Sequence, residues 1–490
     1  MTQAIRIDDR DNVAVALLPL AGGSSVLGVT LAEDIPAGHK FALHAIRSGS
    51  AVIKYGHPIG AAARNIAAGE WVHTHNMRTA LTGEASYVYA PAGRVLPPES
   101  PLSFAGYRRA DGRVGIRNEL WILPLVGCVN DVCKCLEQQC AALFKAYGLD
   151  GVYHFPHPYG CSQLGGDLCS TRRILADLCR HPNAGGVLVV GLGCENNTLS
   201  AFLEELGPGY EDKLRFLLCQ SVGDEIAEGK KLLEELAVCA SGFSRQTVSV
   251  AELTVGLKCG GSDGLSGITA NPAVGRFSDR LIAMGGSTIL TEVPEMFGAE
   301  TILLNRCADE TLFRKAADMV NGFKAYFLSH GQPVGENPSP GNKDGGITTL
   351  EDKSLGCIQK GGQATVRGIL SYGERVQRRG LHMLCAPGND LVSSTALAAA
   401  GAQLILFTTG RGTPFSAPVP TLKISSNTDL FRRKPNWIDM DAGSVAAGET
   451  LDNAGDRLLR LVVSTASGQL TCSERNAQRG IAIWKDGVTL

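Results

Sequence analysis

The sequence predicts an α/β protein in which a small β-rich N-terminal domain precedes two α/β domains with mainly parallel sheets. A chain of 490 residues is too long for one compact core, so several domains are expected. Short apolar runs broken by turn residues fill residues 1–92, which favours strands over helices. Beyond them, strand-like runs alternate with helical segments, the pattern of βαβ units and a parallel sheet.

The elements follow in this order along the chain. The runs VAVALLPL and AVIKYGHPIGAAA predict strands within the domain 1–92, and residues 93–104 are rich in Pro and Ser and predict a linker. The first α/β block, 105–245, has candidate strands at 119–125, 151–155, 186–190 and 214–218. The second block, 246–490, has candidate strands at 287–290, 403–407 and 422–424.

Composition excludes several classes of protein. Lys plus Arg is 46 and Asp plus Glu is 48, so a net charge of −2 gives no basis for binding nucleic acid or an anionic membrane. No apolar run approaches the roughly 20 residues of a membrane-spanning helix, and the N-terminus lacks a signal-peptide pattern. The 15 cysteines are therefore expected to be reduced thiols in a cytoplasmic protein. The number of subunits stays open, a homo-oligomer included.

Glycine-rich loops with a cysteine follow four of the predicted strands. In an open α/β sheet, ligands bind at the carboxyl ends of the strands, and these loops fall there. The thiols are either buried structural residues or parts of one shared site. No P-loop occurs, and Asn196 stands where a dinucleotide fingerprint beginning at Gly191 needs its third glycine, so nucleotide chemistry lacks support. The cysteines concerned are Cys128, Cys161, Cys194 and Cys259.

The N-terminal domain holds a group of histidines that includes the string HTHN. On a strand, positions i and i+2 face one side, so His73 and His75 could bind one metal ion together with His39. The alternative is that these imidazoles are hydrogen-bonded to loop backbone. Imidazole suits iron, manganese and zinc alike, so the histidines do not select a metal.

The last block contains acidic and basic candidates after its strands. Glu292 and Glu295 would lie on one face of a helix, as metal ligands, as an acid/base pair, or as acids that merely favour a helix N-terminus. Arg411 is flanked by glycines and suits a carboxylate, unless it binds loop carbonyls. Lys343 closes a Pro-rich loop. Candidate substrate-binding residues in the same loops are Ser262, Asp263, Asn337, Asn342, Thr409 and Gly410.

Many long strings of the chain resemble the altronate/galactarate dehydratase family nearly end to end. They include GHKFAL, KYGHPIGAA, HTHN, RNELWILPLVGCVN, YGCSQLGGD, CGGSDGLSGITANP, LTEVPEMFGAE, ENPSPGNKDGGITTLEDKSLGC and FTTGRGTP. The resemblance implies that residues 1–92 form a SAF (β-clip) domain. It also implies dehydration of D-altronate to 2-keto-3-deoxy-D-gluconate, with Fe(II) as the usual activator and Mn(II) as an alternative.

Within the family that the chain resembles, galactarate dehydratases typically lack the pair His73 and His75 and differ in the residues that follow YGC, so the resemblance implies altronate as the substrate. Galactarate dehydratase or a related sugar-acid lyase is the alternative. A non-catalytic sugar-acid binding protein is a further interpretation, although a binder does not need so many polar loops at one sheet edge.

The implied chemistry assigns roles as hypotheses. Arg411 would hold the substrate carboxylate, Lys343 or a histidine would remove the C2 proton, and Glu292 or Glu295 would serve as ligand or acid. A mononuclear iron held by imidazole and carboxylate, with His39, His73 and His75 as candidates, is the preferred metal site. The alternative is an iron–sulfur cluster on thiolates, with candidates Cys128, Cys161, Cys194 and Cys259.

Overall fold

The N-terminal domain consists of short antiparallel strands, as predicted, in a computed structural model that describes residues 2–81 and 83–490. Its strands are β1 (Ala4–Ile5), β2 (Val13–Ala16), β3 (Ser25–Val26), β4 (Val29–Thr30), β5 (Lys40–Ala42), β6 (Ala51–Lys54), β7 (His57–Ala62), β8 (Trp71–Val72) and β9 (Met77–Arg78). They form sheets in the orders β1-β2-β5-β8, β3-β4 and β6-β7-β9. Gly69, at φ 78°, turns the chain where a Cβ would lie 2.0 Å from the Thr30 carbonyl oxygen, so only glycine fits.

The second domain is built around a four-stranded parallel sheet. Its strands are β10 (Ser103–Arg108), β11 (Val114–Gly115), β12 (Glu119–Pro124), β13 (Gly151–His154), β14 (Ala184–Gly191), β15 (Leu214–Leu218) and β16 (Arg245–Ser249). The parallel sheet has the order β13-β12-β14-β15, while β11-β10-β16 is antiparallel. Strands β12 and β14 are buried throughout, which explains their nearly continuous apolar sequences. The helices are α1 (Asn130–Cys140), α2 (Leu143–Tyr147), α3 (Gly165–Arg180), α4 (Leu199–Leu206) and α5 (Glu225–Ser241).

The C-terminal domain has a seven-stranded parallel sheet with β17 at its centre. The strands are β17 (Thr254–Cys259), β18 (Ser287–Leu290), β19 (Val366–Leu370), β20 (Gly380–Leu384), β21 (Leu404–Thr409), β22 (Thr421–Ser425) and β23 (Met440–Asp441). Their order is β19-β20-β18-β17-β21-β22-β23. The helices are α6 (Ala270–Ala283), α7 (Glu300–Leu304), α8 (Glu310–Ser329), α9 (Pro340–Asp344), α10 (Leu350–Cys357), α11 (Asp390–Ala399), α12 (Thr428–Arg433), α13 (Leu451–Ala466) and α14 (Cys472–Arg475).

The domains are tied together by the linker and by the C-terminal tail. Arg94, in the predicted linker, forms a β-bridge with Ala364, so this segment packs along the C-terminal domain. The tail pairs Arg479 with Glu119 at 2.7 Å, and the Leu490 amide donates to the Ser162 carbonyl at 3.0 Å. None of the helices in the described ranges is long and apolar enough to cross a membrane. The predicted fold class is confirmed.

Candidate active site

A cluster of buried charges lies at the carboxyl end of the C-terminal sheet. Lys258, near the end of the central strand β17, contacts Glu292 directly, and its ammonium group lies 2.9 Å from a carboxylate oxygen of Asp390. Glu292 follows strand β18 and adopts a left-handed backbone conformation, at φ 69°. Such a conformation is costly for a residue with a side chain and persists where the surrounding structure enforces it. It points to a functional constraint on this carboxylate.

Two thiols and a carboxylate meet beside this ion pair. The Sγ atoms of Cys259 and Cys357 lie 3.4 Å apart, and each lies close to the Glu295 Oε2 atom, at 3.1 and 3.2 Å. Among residues 2–81 and 83–490, this is the only set of three His, Cys, Asp or Glu ligands close enough to share one metal ion. Lys353 donates to the other oxygen of Glu295 at 2.7 Å, which fixes the orientation of the carboxylate.

The surroundings hold the two glutamates in different electrostatic states. Burial opposes the charge of Glu295, but the ammonium groups of Lys353, Lys258 and Lys360 outweigh it and lower the pKa of Glu295 to about 2. Burial and the neighbouring charge of Glu295 raise the pKa of Glu292. The two carboxyl groups, three residues apart in sequence, are therefore not equivalent.

The donor set fits a divalent cation by charge as well as by distance. The ammonium groups of Lys258, Lys353 and Lys360 are matched in number by the carboxylates of Glu292, Glu295 and Asp390. The hydrogen bond with Cys259 and burial raise the pKa of the Cys357 thiol. Ionisation of both thiols would add two negative charges, which one divalent ion neutralises. Thiolate and carboxylate donors suit iron and zinc.

A buried hydroxyl near this cluster lacks a partner. The Ser262 Oγ atom is shielded from solvent and accepts or donates no hydrogen bond within the described chain. Its backbone carbonyl accepts from Asn342, whose side-chain oxygen lies 3.4 Å from the Lys353 ammonium. Ser262, Lys353 and Cys357 line a cavity of about 10 Å³, enough for one water-sized group. An unpaired buried hydroxyl is costly, so we interpret this cavity as the position of a ligand oxygen.

Two cationic side chains at the rim of the site remain available for an anion. Arg411 is exposed and lies beside Gly261 and Gly341, and Lys343 is half-buried on the short helix α9. Within the described residues, neither side chain has a hydrogen-bond or ion-pair partner. The predicted alternative, an arginine that binds loop carbonyls, does not occur for Arg411.

The other predicted binding residues mostly organise these loops. The Asp263 carboxylate accepts hydrogen bonds from Ser266, Ser426 and Asn427 at 2.7–2.9 Å, so it anchors a loop and is not free. Thr409 accepts from the Gly412 amide, which shapes the turn around Arg411. The side-chain oxygen of Asn337 accepts from Lys353 at 3.1 Å. Gly410 lies so close to Asp263 that any Cβ there would clash, at 2.3 Å.

The N-terminal domain forms one wall of the site through a second buried charge cluster. Asp352, on helix α10 one residue before Lys353, pairs with Lys40 at 2.8 Å and Lys54 at 3.0 Å. Burial opposes its charge, but the two ammonium groups outweigh this and hold the pKa of Asp352 well below its usual range. Lys54 and Tyr55 also line the small cavity, so this domain closes the site.

The histidines do not form the predicted metal site. Residues 73–76 form a turn and not a strand, because the Asn76 and Met77 amides both donate to the His73 carbonyl. The inference that His73 and His75 face one side of a strand is wrong: His73 is buried and His75 is exposed. His39 contacts Trp71 and the Asp344 carbonyl through its two ring nitrogens, each at 3.2 Å. Along the described chain the three imidazoles do not converge as ligands of one ion.

The predicted cysteines divide between two places. Cys259 ends β17 in the C-terminal sheet, whereas the other three follow strands of the second-domain sheet and are exposed. The expectation that all four lie at one shared site is therefore wrong, because the strands that carry them belong to different sheets. The exposed thiols are those of Cys128, Cys161 and Cys194.

Sequence reasoning missed several members of the charged cluster. Lys258 stands in the strand sequence TVGLKC, and a lysine in a buried strand is a signal of a paired charge. Lys353 and Cys357 are four residues apart on helix α10 and so share one face. Sequence did not indicate that this face meets Glu295. The other missed members are Lys360, Asp390, Asp352, Lys40 and Lys54.

Comparison with known proteins identifies relatives along the whole chain. Family models match at residues 2–80 (altronate/galactarate dehydratase SAF domain), 106–241 (D-galactarate dehydratase/altronate hydrolase, second domain) and 250–489 (D-galactarate/altronate dehydratase, C-terminal). The chain is 52% identical to an altronate dehydratase of Escherichia coli K12 and 50% identical to one of Bacillus subtilis 168, with 100% of each chain covered. It is 34% identical to a galactarate dehydratase (L-threo-forming) of E. coli K12, over 95% of this chain and 93% of the relative.

Proposed function

The chain belongs to the altronate/galactarate dehydratase family, and we propose that it dehydrates D-altronate to 2-keto-3-deoxy-D-gluconate. The observation that carries the choice of substrate is full-length identity of 52% and 50% to two altronate dehydratases, against 34% to a galactarate dehydratase. The 15 free thiols suit a reducing compartment, so we place the reaction in the cytoplasm.

The protein must remove a proton, stabilise negative charge and protonate a leaving group. The proton at C2 of a sugar acid is weakly acidic, the carbanion formed carries extra negative charge next to the carboxylate, and the C3 hydroxyl leaves as water only if it is protonated. We assign these three roles to groups at the carboxyl edge of the C-terminal sheet.

The rim cations bind the substrate carboxylate. Arg411 offers a planar pair of N–H donors that matches a carboxylate, and no protein acceptor within the described residues competes for them. Lys343 lies on helix α9, whose neighbour Gly341 contacts Arg411, so its amine is the candidate base for the C2 proton. His39 also lies against helix α9, with its Nε2 atom 3.2 Å from the Asp344 carbonyl oxygen, so it is the alternative candidate base.

The two glutamates take different roles because they have different neighbours. Glu295 lies against both thiols, and with Cys259 and Cys357 it would hold an Fe(II) ion; Mn(II), a harder ion, suits the two thiols less well. When bound, such an ion supplies Lewis acidity that stabilises negative charge on the substrate oxygens. Glu292 lies against Lys258 and Lys360 and is the candidate to deliver a proton to the C3 oxygen.

Parallel assays with altronate and galactarate test the substrate. The purified chain, loaded with Fe(II) under anaerobic conditions, is incubated with each acid, and the 2-keto product is measured. We expect kcat/KM for altronate to exceed that for galactarate by about 100-fold or more, since the two acids differ in groups that a polar site recognises. Equal or faster turnover of galactarate would refute the substrate, and no product from either acid would refute the activity.

A further inference from the structure

Three exposed thiols converge on the second domain, away from the site described above. Cys128 follows β12, Cys161 follows β13 and Cys194 follows β14, and these strands are neighbours in the order β13-β12-β14. Pro124 pairs with Val190 in the parallel register, and Cys128 and Cys194 each stand four residues beyond these partners. The sheet therefore delivers the thiols to one edge from adjacent strands.

The three loops are fixed to one another by short hydrogen bonds. The Gly127 amide donates to the Tyr159 carbonyl and the Asn197 amide to the Gly160 carbonyl, both at 2.8 Å. The Ser162 amide donates to the Asn196 side chain, also at 2.8 Å. Each bond joins a residue within three positions of one cysteine to a residue near another cysteine. The thiols are thus held in a defined arrangement.

The backbone beside two of these cysteines has positive φ at three positions, and at one of them, Ser162, this conformation is costly because the residue is not glycine. Cys161 lies between Gly160 at φ 100° and Ser162 at φ 56°, and Cys194 follows Gly193 at φ 123°. A Cβ on Gly160 would lie 2.0 Å from the Leu125 carbonyl oxygen, so close approach of the loops requires glycine. Non-glycine residues held at positive φ, as Ser162 is, are found preferentially at ligand-binding sites.

Polar groups next to the thiols point independently to a ligand. The side-chain amide nitrogen of Gln163, a residue only 2% exposed, has no hydrogen-bond partner within the described chain. Its amide oxygen is used, because it accepts from the Gly160 amide at 3.0 Å. The Gln220 amide nitrogen lies 3.7 Å from the Cys194 sulfur. Amide donors near sulfur are a usual feature of iron–sulfur sites.

The spacing of the three sulfurs does not fit one shared metal ion. Two thiolates on one tetrahedral ion lie at most about 4.6 Å apart, twice a metal–sulfur bond. In the described parts of the chain the sulfurs of Cys128, Cys161 and Cys194 do not all lie within 4.8 Å of one another. In a cluster each thiolate binds a different iron, so the sulfurs stand farther apart.

We propose that Cys128, Cys161 and Cys194 bind a [4Fe–4S] cluster as its three cysteine ligands. Each thiol gives its proton to solvent and forms one bond from sulfur to iron. Cys219 also follows a strand of this sheet, β15, but is partly buried, whereas the remaining cysteines of the domain are buried or lie on helices, and Cys259 belongs to the other sheet. The three exposed thiols are therefore the proposed ligands, and no further exposed cysteine follows a strand of this sheet in the described residues to bind the fourth iron. This centre is separate from the Cys259 site and adds to the proposed function.

Anaerobic reconstitution of the full chain tests the proposal. Wild type, the triple variant Cys128→Ala, Cys161→Ala, Cys194→Ala, and the control Cys169→Ala, Cys239→Ala are treated with iron, sulfide and dithiothreitol and then desalted. We expect one cluster equivalent of iron and acid-labile sulfide in wild type and control, with broad visible absorption and an electron paramagnetic resonance signal on reduction. The triple variant should retain less than about a tenth of the sulfide. The control cysteines are exposed on helices α3 and α5.

Three results would overturn the proposal: wild type that retains no sulfide, a triple variant that retains as much as wild type, or iron without sulfide. The mutated thiols are exposed, so their removal leaves the core intact, and circular dichroism checks the fold. Each single variant gives an independent test, with the same loss expected. The variant Cys259→Ser, Cys357→Ser should keep the sulfide, which separates this proposal from the proposed active site.

Discussion

The carboxyl edges of the two parallel sheets differ in burial, and burial decides what each can hold. In the C-terminal domain the edge is closed by the N-terminal domain, and its ammonium and carboxylate groups pair with one another. In the second domain the edge is open, and the ligands that we propose there are three exposed thiols. A closed edge can exclude water from a reacting sugar acid, whereas an open edge can seat a preformed cofactor.

The comparison teaches that topology places a site but does not define its chemistry. Both edges follow the general rule that ligands bind at the carboxyl ends of parallel strands. The closed edge gains its character from helix α10, which supplies Asp352, Lys353 and Cys357 over one and a half turns. A substitution at one edge can therefore be compared with a matched substitution outside that edge.

Glu295→Gln should have the largest effect because it breaks the closed edge. It removes a charge that faces two thiols and leaves the buried Lys353 ammonium unpaired. We expect kcat/KM of the Fe(II)-loaded enzyme to fall by about 1,000-fold. We also expect the free energy of unfolding to fall by about 3–5 kcal/mol, measured by urea denaturation.

Glu300→Gln is the matched control for that variant. Glu300 is also a buried carboxylate, paired with Lys324 at 2.6 Å, but it contacts none of the site residues. It should lose comparable stability while the folded enzyme retains its kcat/KM. Equal losses of activity in the two variants would show that Glu295 matters only for stability.

Asp352→Asn should open the closed edge by weakening the N-terminal wall. The substitution leaves the buried ammonium groups of Lys40 and Lys54 without their shared carboxylate. We expect a loss of about 3 kcal/mol in the free energy of unfolding. Asp111→Asn, which removes an exposed ion pair with Arg113, should change it by less than about 1 kcal/mol. If Asp352→Asn and Asp111→Asn had the same free energy of unfolding, the ion pairs of Asp352 with Lys40 and Lys54 would not stabilise the contact of the N-terminal domain with the site.

Arg411→Lys tests the rim of the closed edge. Lysine keeps the charge but loses the paired donors that match a carboxylate, so we expect kcat/KM for altronate to fall by about 10–100-fold. Arg432→Lys, at an exposed position on helix α12, should leave kcat/KM unchanged. Wild-type kinetics in Arg411→Lys would remove this residue from the substrate site.

Low pH should lower the stability of the folded protein through one buried histidine near each edge, and we expect this effect to be smaller than those of the substitutions. Burial lowers the pKa of His73, in the wall of the closed edge, and of His157, under the open edge, to about 4 in each case. Between about pH 6.5 and pH 4 these imidazoles become protonated in the unfolded chain but stay neutral in the folded protein. The free energy of unfolding therefore falls as the pH falls. We expect a melting temperature several degrees lower at pH 5 than at pH 7.5. His157→Asn should reduce that difference and His44→Asn, at an exposed position, should not.

Local pattern was sufficient to predict the fold and part of the site. The apolar strand sequences predicted the parallel sheets because strands buried on both faces read as continuous apolar runs. The rule for strand ends brought Cys259, Glu292 and Glu295 to one edge. These inferences need only the identity of each strand and its direction.

The remainder depends on contacts between distant segments. Cys357 lies 98 residues from Cys259 in sequence, and only the packing of helix α10 brings their sulfurs together. The histidine prediction failed because the Asn76 side chain accepts from the His73 amide and donates to the Trp71 carbonyl, which favours a turn over a strand. Which cysteines share a sheet likewise follows from strand order, which the sequence does not state.

Metal removal and reloading test the central claim, that a cation at the closed edge stabilises the charge created when C2 loses its proton. Wild type and the variant Cys259→Ser, Cys357→Ser are stripped with a chelator, and altronate turnover is measured before and after addition of Fe(II). We predict that stripping abolishes turnover and that Fe(II) restores it in wild type but not in the variant. Full turnover by the stripped wild type, or equal restoration of the variant, would contradict the account.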